Sequence, residues 1–195
     1  MAHSMKQACA NRNDELYTPP PLVYSLQPYL DKLYKKLKKK LKRDPIIWLP
    51  FDTSKSEFVY MCKKYKYKFV FSHIDLGKDF FKYEPKIWDI AVSNPPFSKK
   101  LEVFKRLNNF KKPWAMIMNM MALNYQCIGN YFADNCPQML IVDKRVSFDG
   151  NPSSFNSSYI CGCGFLPKDL IFKHIKNNNA KENFIPSRMY KERRR

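Results

Sequence analysis

The chain of 195 residues carries a formal net charge of +18 at pH 7, because Lys and Arg number 35 and Asp and Glu only 17. Hydrophobic residues make up 45% of the chain and aromatic residues 15%, which is typical of a folded domain and excludes a disordered chain. So strong a positive charge predicts a polyanionic partner, with nucleic acid favoured over a membrane surface.

Neither export nor membrane insertion is indicated. No apolar run approaches the ~20 residues of a membrane-spanning helix, and the amino terminus has no apolar stretch of signal-peptide type. The six cysteines form no Cys-x-x-Cys pair, which favours a reducing compartment over a disulfide scaffold or a zinc site. We expect a soluble, cytoplasmic protein without a metal ion.

The length predicts one domain, spanning residues 14–175. Residues 1–13 show no periodicity and are expected to be a flexible amino terminus. Residues 176–195 are expected to be a mobile basic tail that adds salt-sensitive affinity for phosphates.

The first predicted element is a basic amphipathic helix that begins near Leu22, after a proline-rich stretch typical of a helix start. Over residues 26–43, leucines recur at spacings of three and four, while lysines cover the other faces. Like charges repel each other, so a phosphate-binding role is favoured, with an anionic lipid surface as the alternative. The lysines assigned to nucleic acid on this helix are Lys35, Lys36, Lys39 and Lys40.

Two strand and turn units follow. Residues 46–49 predict a buried strand, and a helix over about residues 54–65 starts with Ser54-Lys55-Ser56-Glu57, which fits a capping box. Residues 68–75 predict a second strand, with Asp75 near its carboxyl end, where an acidic residue can bind ribose hydroxyls. His73 is interpreted as a partly buried strand histidine.

The most informative stretch runs from Trp88 to Ser98. Residues 88–92 are apolar apart from Asp89 and predict a short buried strand. Two prolines then force a turn, since each fixes φ and lacks a backbone donor. Asn94 and Phe97 are expected to face outward there, at the edge where open α/β sheets bind ligands.

This turn suits the chemistry of a base amine, which conjugates its lone pair into the ring and is a poor nucleophile. The Asn94 side-chain oxygen and the Pro95 carbonyl could accept both amine protons and direct the lone pair at an electrophilic methyl group. Phe97 could stack on a base taken out of its helix. The alternative is a proline-stiffened loop without a ligand; we favour the functional interpretation because the motif follows a predicted strand.

The remaining chain alternates a helix over residues 98–108 with buried strands over residues 114–118, 139–142 and 158–165. Such alternation predicts an α/β sheet that is mostly parallel. The polar loop 150–157 is either a hairpin connection, which we favour, or a segment that holds the flipped base. Further basic residues assigned to nucleic acid are Lys99, Lys100, Lys144 and Arg145.

Asn94-Pro95-Pro96-Phe97 resembles the catalytic motif of amino-directed, adenine-N6 DNA methyltransferases. The stretch from Ser93 to Ser98 is particularly similar to the EcoRI-like methylases and their small prophage-borne relatives. The resemblance covers the chain loosely from Tyr17 to about Leu170, and only this motif is highly specific. It implies S-adenosylmethionine (SAM) as methyl donor and a Rossmann-like SAM-dependent methyltransferase fold, with a mostly parallel seven-stranded sheet and helices on both faces. It also implies a bacterial or phage-infected host cell.

The resemblance further implies cofactor residues, Asn94 among them. A Tyr/Trp-Thr-Pro element lines the SAM pocket of several such enzymes, which assigns Tyr17, Thr18 and Pro19 to it; the helix start is the alternative. In the Asp-Phe turn of this superfamily, Asp79 is expected to accept from the SAM adenine amine and Phe80 to pack on its ring. The alternative there is a glycine turn with aromatic side chains facing the core.

The turn after the first strand departs from the family pattern, because it contains no glycine. Glycines normally let the backbone approach the methionine part of the cofactor. One interpretation is that a proline-aromatic-Asp turn replaces the glycines; Asp52 would then bind the SAM ammonium, and the start of the next helix would bind the SAM carboxylate. The other interpretation is that the cofactor site is degenerate. The residues assigned to the cofactor in this turn are Pro50, Phe51, Asp52 and Thr53.

Two functions follow. The first is methyl transfer from SAM to the N6 amine of adenine in nucleic acid, with DNA favoured over RNA because the resemblance is to DNA enzymes. The alternative is a methyltransferase-like nucleic-acid-binding protein whose cofactor site has decayed. A basic membrane-surface protein is the least favoured interpretation.

Overall fold

A computed structural model describes residues 18–146, 148 and 156–175. Tyr17, the predicted amino terminus 1–13, the basic tail 176–195 and most of the polar loop 150–157 lie outside the described residues. The strands in the described part are β1 (Ile46–Leu49), β2 (Lys68–Phe71), β3 (Ile90–Ser93), β4 (Trp114–Asn119), β5 (Gln138–Val142), β6 (Ser157–Gly162) and β7 (Leu170–Lys173).

These strands form one sheet in the order β2-β1-β3-β4-β6-β5-β7. β1 pairs in parallel with β2 and β3, β3 with β4, and β5 with β7. Among the described strands, β6 alone is antiparallel to its neighbours β4 and β5. The expected α/β class with a mostly parallel sheet is therefore confirmed.

Helices cover both faces of the sheet, as expected. They are α1 (Pro20–Leu41), α2 (Glu57–Lys64), α3 (Lys100–Asn109) and α4 (Gln126–Asp134). Because strand side chains alternate in direction, Ile47 and Leu49 are buried in one core with α1 and α2, whereas Trp48 is buried in the other with α3 and α4.

Several element bounds differ from those expected. α1 begins at Pro20, because prolines fit the first helical turn, where no intrahelical donor is needed. α2 begins at Glu57 and the expected capping box does not form: Ser56 Oγ instead accepts the N–H of Thr53 at 3.2 Å. β2 ends at Phe71, because the chain turns there into a 3-10 helix over Ile74–Leu76 that contains Asp75.

The later strands differ as well. β3 begins at Ile90, since Asp89 lies before it and binds the Arg43 guanidinium through two hydrogen bonds of 2.8 Å. β6 ends at Gly162, where an added Cβ would lie 2.5 Å from the ring of Trp114 on the neighbouring strand. The edge strand β7 is not among the predicted strands. Leu170 and Phe172 are exposed in it, so it is not the buried strand that an apolar run predicts.

Candidate functional site

A cavity of about 290 Å³ lies at the carboxyl ends of β1 and β3. This is the edge at which parallel α/β sheets bind ligands, and the volume is at the lower end of ligand pockets, about 300–1,000 Å³. Residues assigned from the sequence that line it are Thr18, Pro50, Phe51, Asp52, Thr53, Asp79, Phe80, Asn94, Pro96 and Lys99. Lining residues that sequence reasoning did not assign are Ser56, His73, Ile74, Phe81 and Ser98.

Some assigned residues lie outside this lining. Pro19 and Pro95 are buried, and Phe97 is half-buried against the core that contains Trp48. Asp75 has a side chain that is 65% exposed, because the 3-10 helix turns it away from the sheet. The cavity thus brings together the turns after β1 and β3 with Thr18 and residues 73–74 and 79–81. All four residues assigned in the turn after β1 face it, but only part of the Asn94 motif does.

Asp52 is the buried acid of the cavity and is 5% exposed. Its carboxylate accepts hydrogen bonds from the hydroxyls of Ser93 and Ser56. Burial nevertheless raises the pKa of Asp52 to about 6, because desolvation disfavours the charged form more than these hydrogen bonds favour it. A cationic group entering the cavity would stabilise the ionised carboxylate.

Ser93 ties the two turns together. It is the last residue of β3, is fully buried, and directly precedes Asn94. Its hydroxyl donates to Asp52 and accepts the N–H of Phe51 at 3.2 Å. The positions of the acid after β1 and of the amide after β3 are therefore set by the same hydroxyl.

The backbone amides of the turn after β1 point into the protein. The N–H of Asp52 donates to the Ser72 carbonyl at 3.1 Å, and that of Phe51 to Ser93. The N–H of Ser56 donates to the Thr53 carbonyl at 3.1 Å. These amides cannot bind an anion as a glycine-rich turn does, so a ligand here must be held by side chains.

Aromatic rings form one wall. Phe80 is 2% exposed and packs on Phe51 at 4.7 Å and on Trp48 at 5.4 Å between ring centroids. Phe80 faces the core, as the alternative interpretation of this turn expected, and it also borders the cavity. Phe81 is half-buried, and Lys99 Nζ lies 5.1 Å from its ring centroid.

Asp79 and His73 shape their own turns. Asp79 Oδ1 accepts the N–H of Phe81 at 3.0 Å, which fixes the turn that presents both phenylalanines. His73 Nδ1 accepts the N–H of Asp75 at 3.2 Å and thereby caps the 3-10 helix. His73 rather than Asp75 borders the cavity after β2. Its place at the end of β2 is a signal that could have assigned it.

Asn94 lies in the cavity wall directly after β3. Its Oδ1 is buried while the side chain as a whole is half-buried, so the expected outward orientation of Asn94 is wrong for the oxygen assigned to the base amine. Lys99 lines the same cavity. The site therefore contains a carboxylate, an amide and an ammonium group beside aromatic rings, which suits a zwitterionic ligand with a flat ring system.

The basic residues fall into two groups. α1 starts next to Thr18 at the cavity and runs to the opposite edge, where Lys38 pairs with Asp44 at 2.6 Å just before β1. At 1.5 Å per residue, the helix extends about 30 Å from Pro20 to Lys39. The four lysines assigned to nucleic acid are exposed toward this far end: Lys35, Lys36, Lys39 and Lys40.

The second group lies along the carboxyl edge of the sheet, where the cavity is also found. Lys100 Nζ donates to the Phe97 carbonyl at 3.2 Å. Lys144 and Arg145 directly follow β5, and Arg145 Nε donates to Asn156 Oδ1 at 2.9 Å. Together with Lys99 they surround the carboxyl edge of the sheet, whereas the α1 lysines do not.

Within residues 18–146, 148 and 156–175, no group of three or more His, Cys, Asp and Glu side chains could hold a metal ion. None of the described helices combines the length and apolarity that crossing a bilayer requires.

No protein-family model, no curated protein and no solved structure matches this chain.

Proposed function

We propose that this protein is a SAM-dependent methyltransferase that methylates the N6 amine of adenine in nucleic acid, with DNA as the favoured substrate. The observation that carries the proposal is the meeting of Asp52 and Asn94 in one cavity, linked through Ser93. The reversed strand β6 within an otherwise parallel sheet supports a Rossmann-like methyltransferase fold.

The residues present fit SAM. Asp52 is a buried carboxyl group in the cavity wall, and the SAM ammonium would stabilise its ionised form, which burial disfavours. Lys99 provides a positive charge for the SAM carboxylate, and Phe51 and Phe81 border the space with ring faces suited to adenine. SAM, when bound, supplies an electrophilic methyl group.

The turn after β3 handles the target amine. Asn94 Oδ1 is buried in the free protein, so the side chain has to rotate to bring this oxygen to the target amine. It would then accept one amine proton, keep the nitrogen lone pair directed at the methyl group and stabilise the transition state. Phe97 is half-buried against the core and is not part of the cavity wall, so only the exposed part of its ring would contact a target base.

A second candidate, a nucleic-acid-binding protein without catalysis, is supported by the inward amides of the glycine-free turn. Phe51 and Asp52 use their N–H groups within the protein, so the usual backbone contacts to the methionine part of SAM are missing. The net charge of +18 alone would give affinity for nucleic acid.

Transfer of labelled methyl from SAM to duplex DNA, single-stranded DNA and RNA in parallel, followed by nucleoside analysis, tests the proposal. Labelled N6-methyladenosine or its deoxy form is the expected product. SAM titration by calorimetry separates the two candidates: saturable heat at micromolar SAM supports the enzyme. Absence of both heat and transfer would leave the binding protein as the function.

A further inference from the structure

Two large side chains are exposed in the segment after β4, Met121 and Tyr125. Met121 is 60% exposed and Tyr125 is 55% exposed. They belong to the segment directly after β4, which is the parallel neighbour of β3. A large side chain that stays exposed next to a ligand site is a candidate for contact with a partner.

The backbone holds this segment firmly. The Tyr125 carbonyl accepts the N–H groups of Ile128 and Gly129, both at 2.9 Å, and its own N–H donates to Ala122 at 3.2 Å. The N–H of Met121 donates to Asn119 Oδ1 at 3.0 Å. The two exposed side chains are therefore presented on a fixed support.

Tyr125 is coupled to the turn after β3 through Lys100. Lys100 Nζ lies 4.5 Å from the Tyr125 ring centroid and donates to the Phe97 carbonyl at 3.2 Å. The ring thus stands next to the turn that contains Asn94, with an ammonium group between them. This cation–π contact also holds the Tyr125 ring and the Lys100 ammonium group next to each other.

Basic residues flank the same surface. The N–H of Met120 donates to the Asn156 carbonyl at 2.9 Å, and the Asn156 side chain accepts from Arg145 Nε at 2.9 Å. Lys100 lies on one side of the apolar pair and Arg145 on the other. A polyanion crossing this edge would meet positive charge on both sides and apolar side chains in the middle.

We infer that Tyr125 inserts into duplex DNA and occupies the space that the target adenine leaves when it is extruded. The inference rests on the proposed function, because it names how that same site handles duplex DNA. Extruding a base costs stacking and pairing energy, and an aromatic or apolar wedge that stacks on the neighbouring base offsets part of this cost.

Binding to duplexes that contain one abasic site tests the inference without catalysis. The wild-type protein is expected to bind such a duplex several times more tightly than the intact duplex, because the gap is already open. Tyr125→Ala is expected to lose this preference, because its affinity for the abasic duplex should fall about tenfold. Tyr125→Phe is expected to keep the preference. Ile87→Ala, at an apolar side chain that is 58% exposed before β3, is the matched control and should change nothing.

Methylation of native and heat-denatured DNA gives a second measurement. Tyr125→Ala should lower transfer to native DNA about tenfold and leave transfer to denatured DNA within about twofold, since single strands need no extrusion. The inference is overturned if the wild-type protein shows no preference for the abasic duplex, or if Tyr125→Ala leaves that preference intact. Loss of methyl transfer by the wild type on every substrate, with the abasic preference present, would instead count against the proposed function alone.

Discussion

The Ser93 hydroxyl donates a hydrogen bond to the buried carboxylate of Asp52, across the gap between the ends of β3 and β1. These residues are 41 positions apart in the chain. The bond places the acid that suits a cationic ligand beside Asn94, the amide that suits a base amine. The positions of Asp52 and of the turn that contains Asn94 are therefore linked through this one hydroxyl.

Asn94→Ala is expected to reduce methyl transfer by roughly 100- to 1,000-fold, because it removes the acceptor that orients the amine. SAM affinity, measured by calorimetry, should stay nearly unchanged, since Asp52 and the aromatic wall remain. Asn124→Ala, at an exposed amide on the same edge, serves as control and should retain full activity. Residual activity of the Asn94 variant above a few per cent would show that this amide is not catalytic.

Asp52→Asn is expected to weaken SAM binding roughly 10- to 100-fold, because a hydrogen-bonded charge opposite the SAM ammonium is lost. In the wild type, SAM affinity should fall by up to about tenfold per pH unit below pH 6, as the carboxyl of Asp52, with its pKa of about 6, becomes protonated in the free protein. Calorimetry at several pH values measures both effects. Asp75→Asn, which changes an exposed acid outside the cavity, should bind SAM like the wild type; a loss of affinity there would instead support the ribose contact expected from the sequence.

The same carboxyl should make the free protein less stable as the pH rises. The folded-state pKa of Asp52, about 6, lies above its ordinary value of 3.8, so its favourable contribution is complete below pH 4 and is lost as the pH rises through 6. The loss amounts to about 3 kcal/mol. The Asp52→Asn variant lacks this titration, so its unfolding free energy relative to wild type should rise by that amount between pH 4 and pH 7. Urea denaturation at both pH values tests this, and an unchanged difference would mean that Asp52 is not desolvated.

The two groups of basic residues should contribute differently to catalysis. A Lys144→Gln/Arg145→Gln double variant, at the cavity edge, should reduce the salt dependence of methyl transfer by about two units of slope on a log–log plot, one for each lost phosphate contact. The matched Lys39→Gln/Lys40→Gln variant removes the same charge from the far end of α1 and should leave this slope unchanged. An equal reduction in both variants would indicate that substrate DNA reaches across to α1.

The alternation of apolar segments determined much of the fold in advance. Buried runs such as 46–49 and 114–118 have few alternatives to strands in a parallel sheet, and the leucine stripe of α1 requires a helix. Element ends were less predictable, because they depend on contacts between distant residues. Asp89 lies outside β3 since Arg43 binds it, and Asp75 turns away since His73 caps a 3-10 helix.

The sequence by itself determined that a proline-stiffened Asn94 turn follows a buried strand, because prolines and apolar residues act locally. Only the tertiary structure decided which residues share its cavity: Asp52 enters it through Ser93, while Pro95, Phe97 and Asp75 do not. It also decided that the lysine-rich end of α1 lies about 30 Å away from the residues that begin the helix beside that cavity. Such distances follow from how strands and helices pack side by side, which no local pattern of residues records.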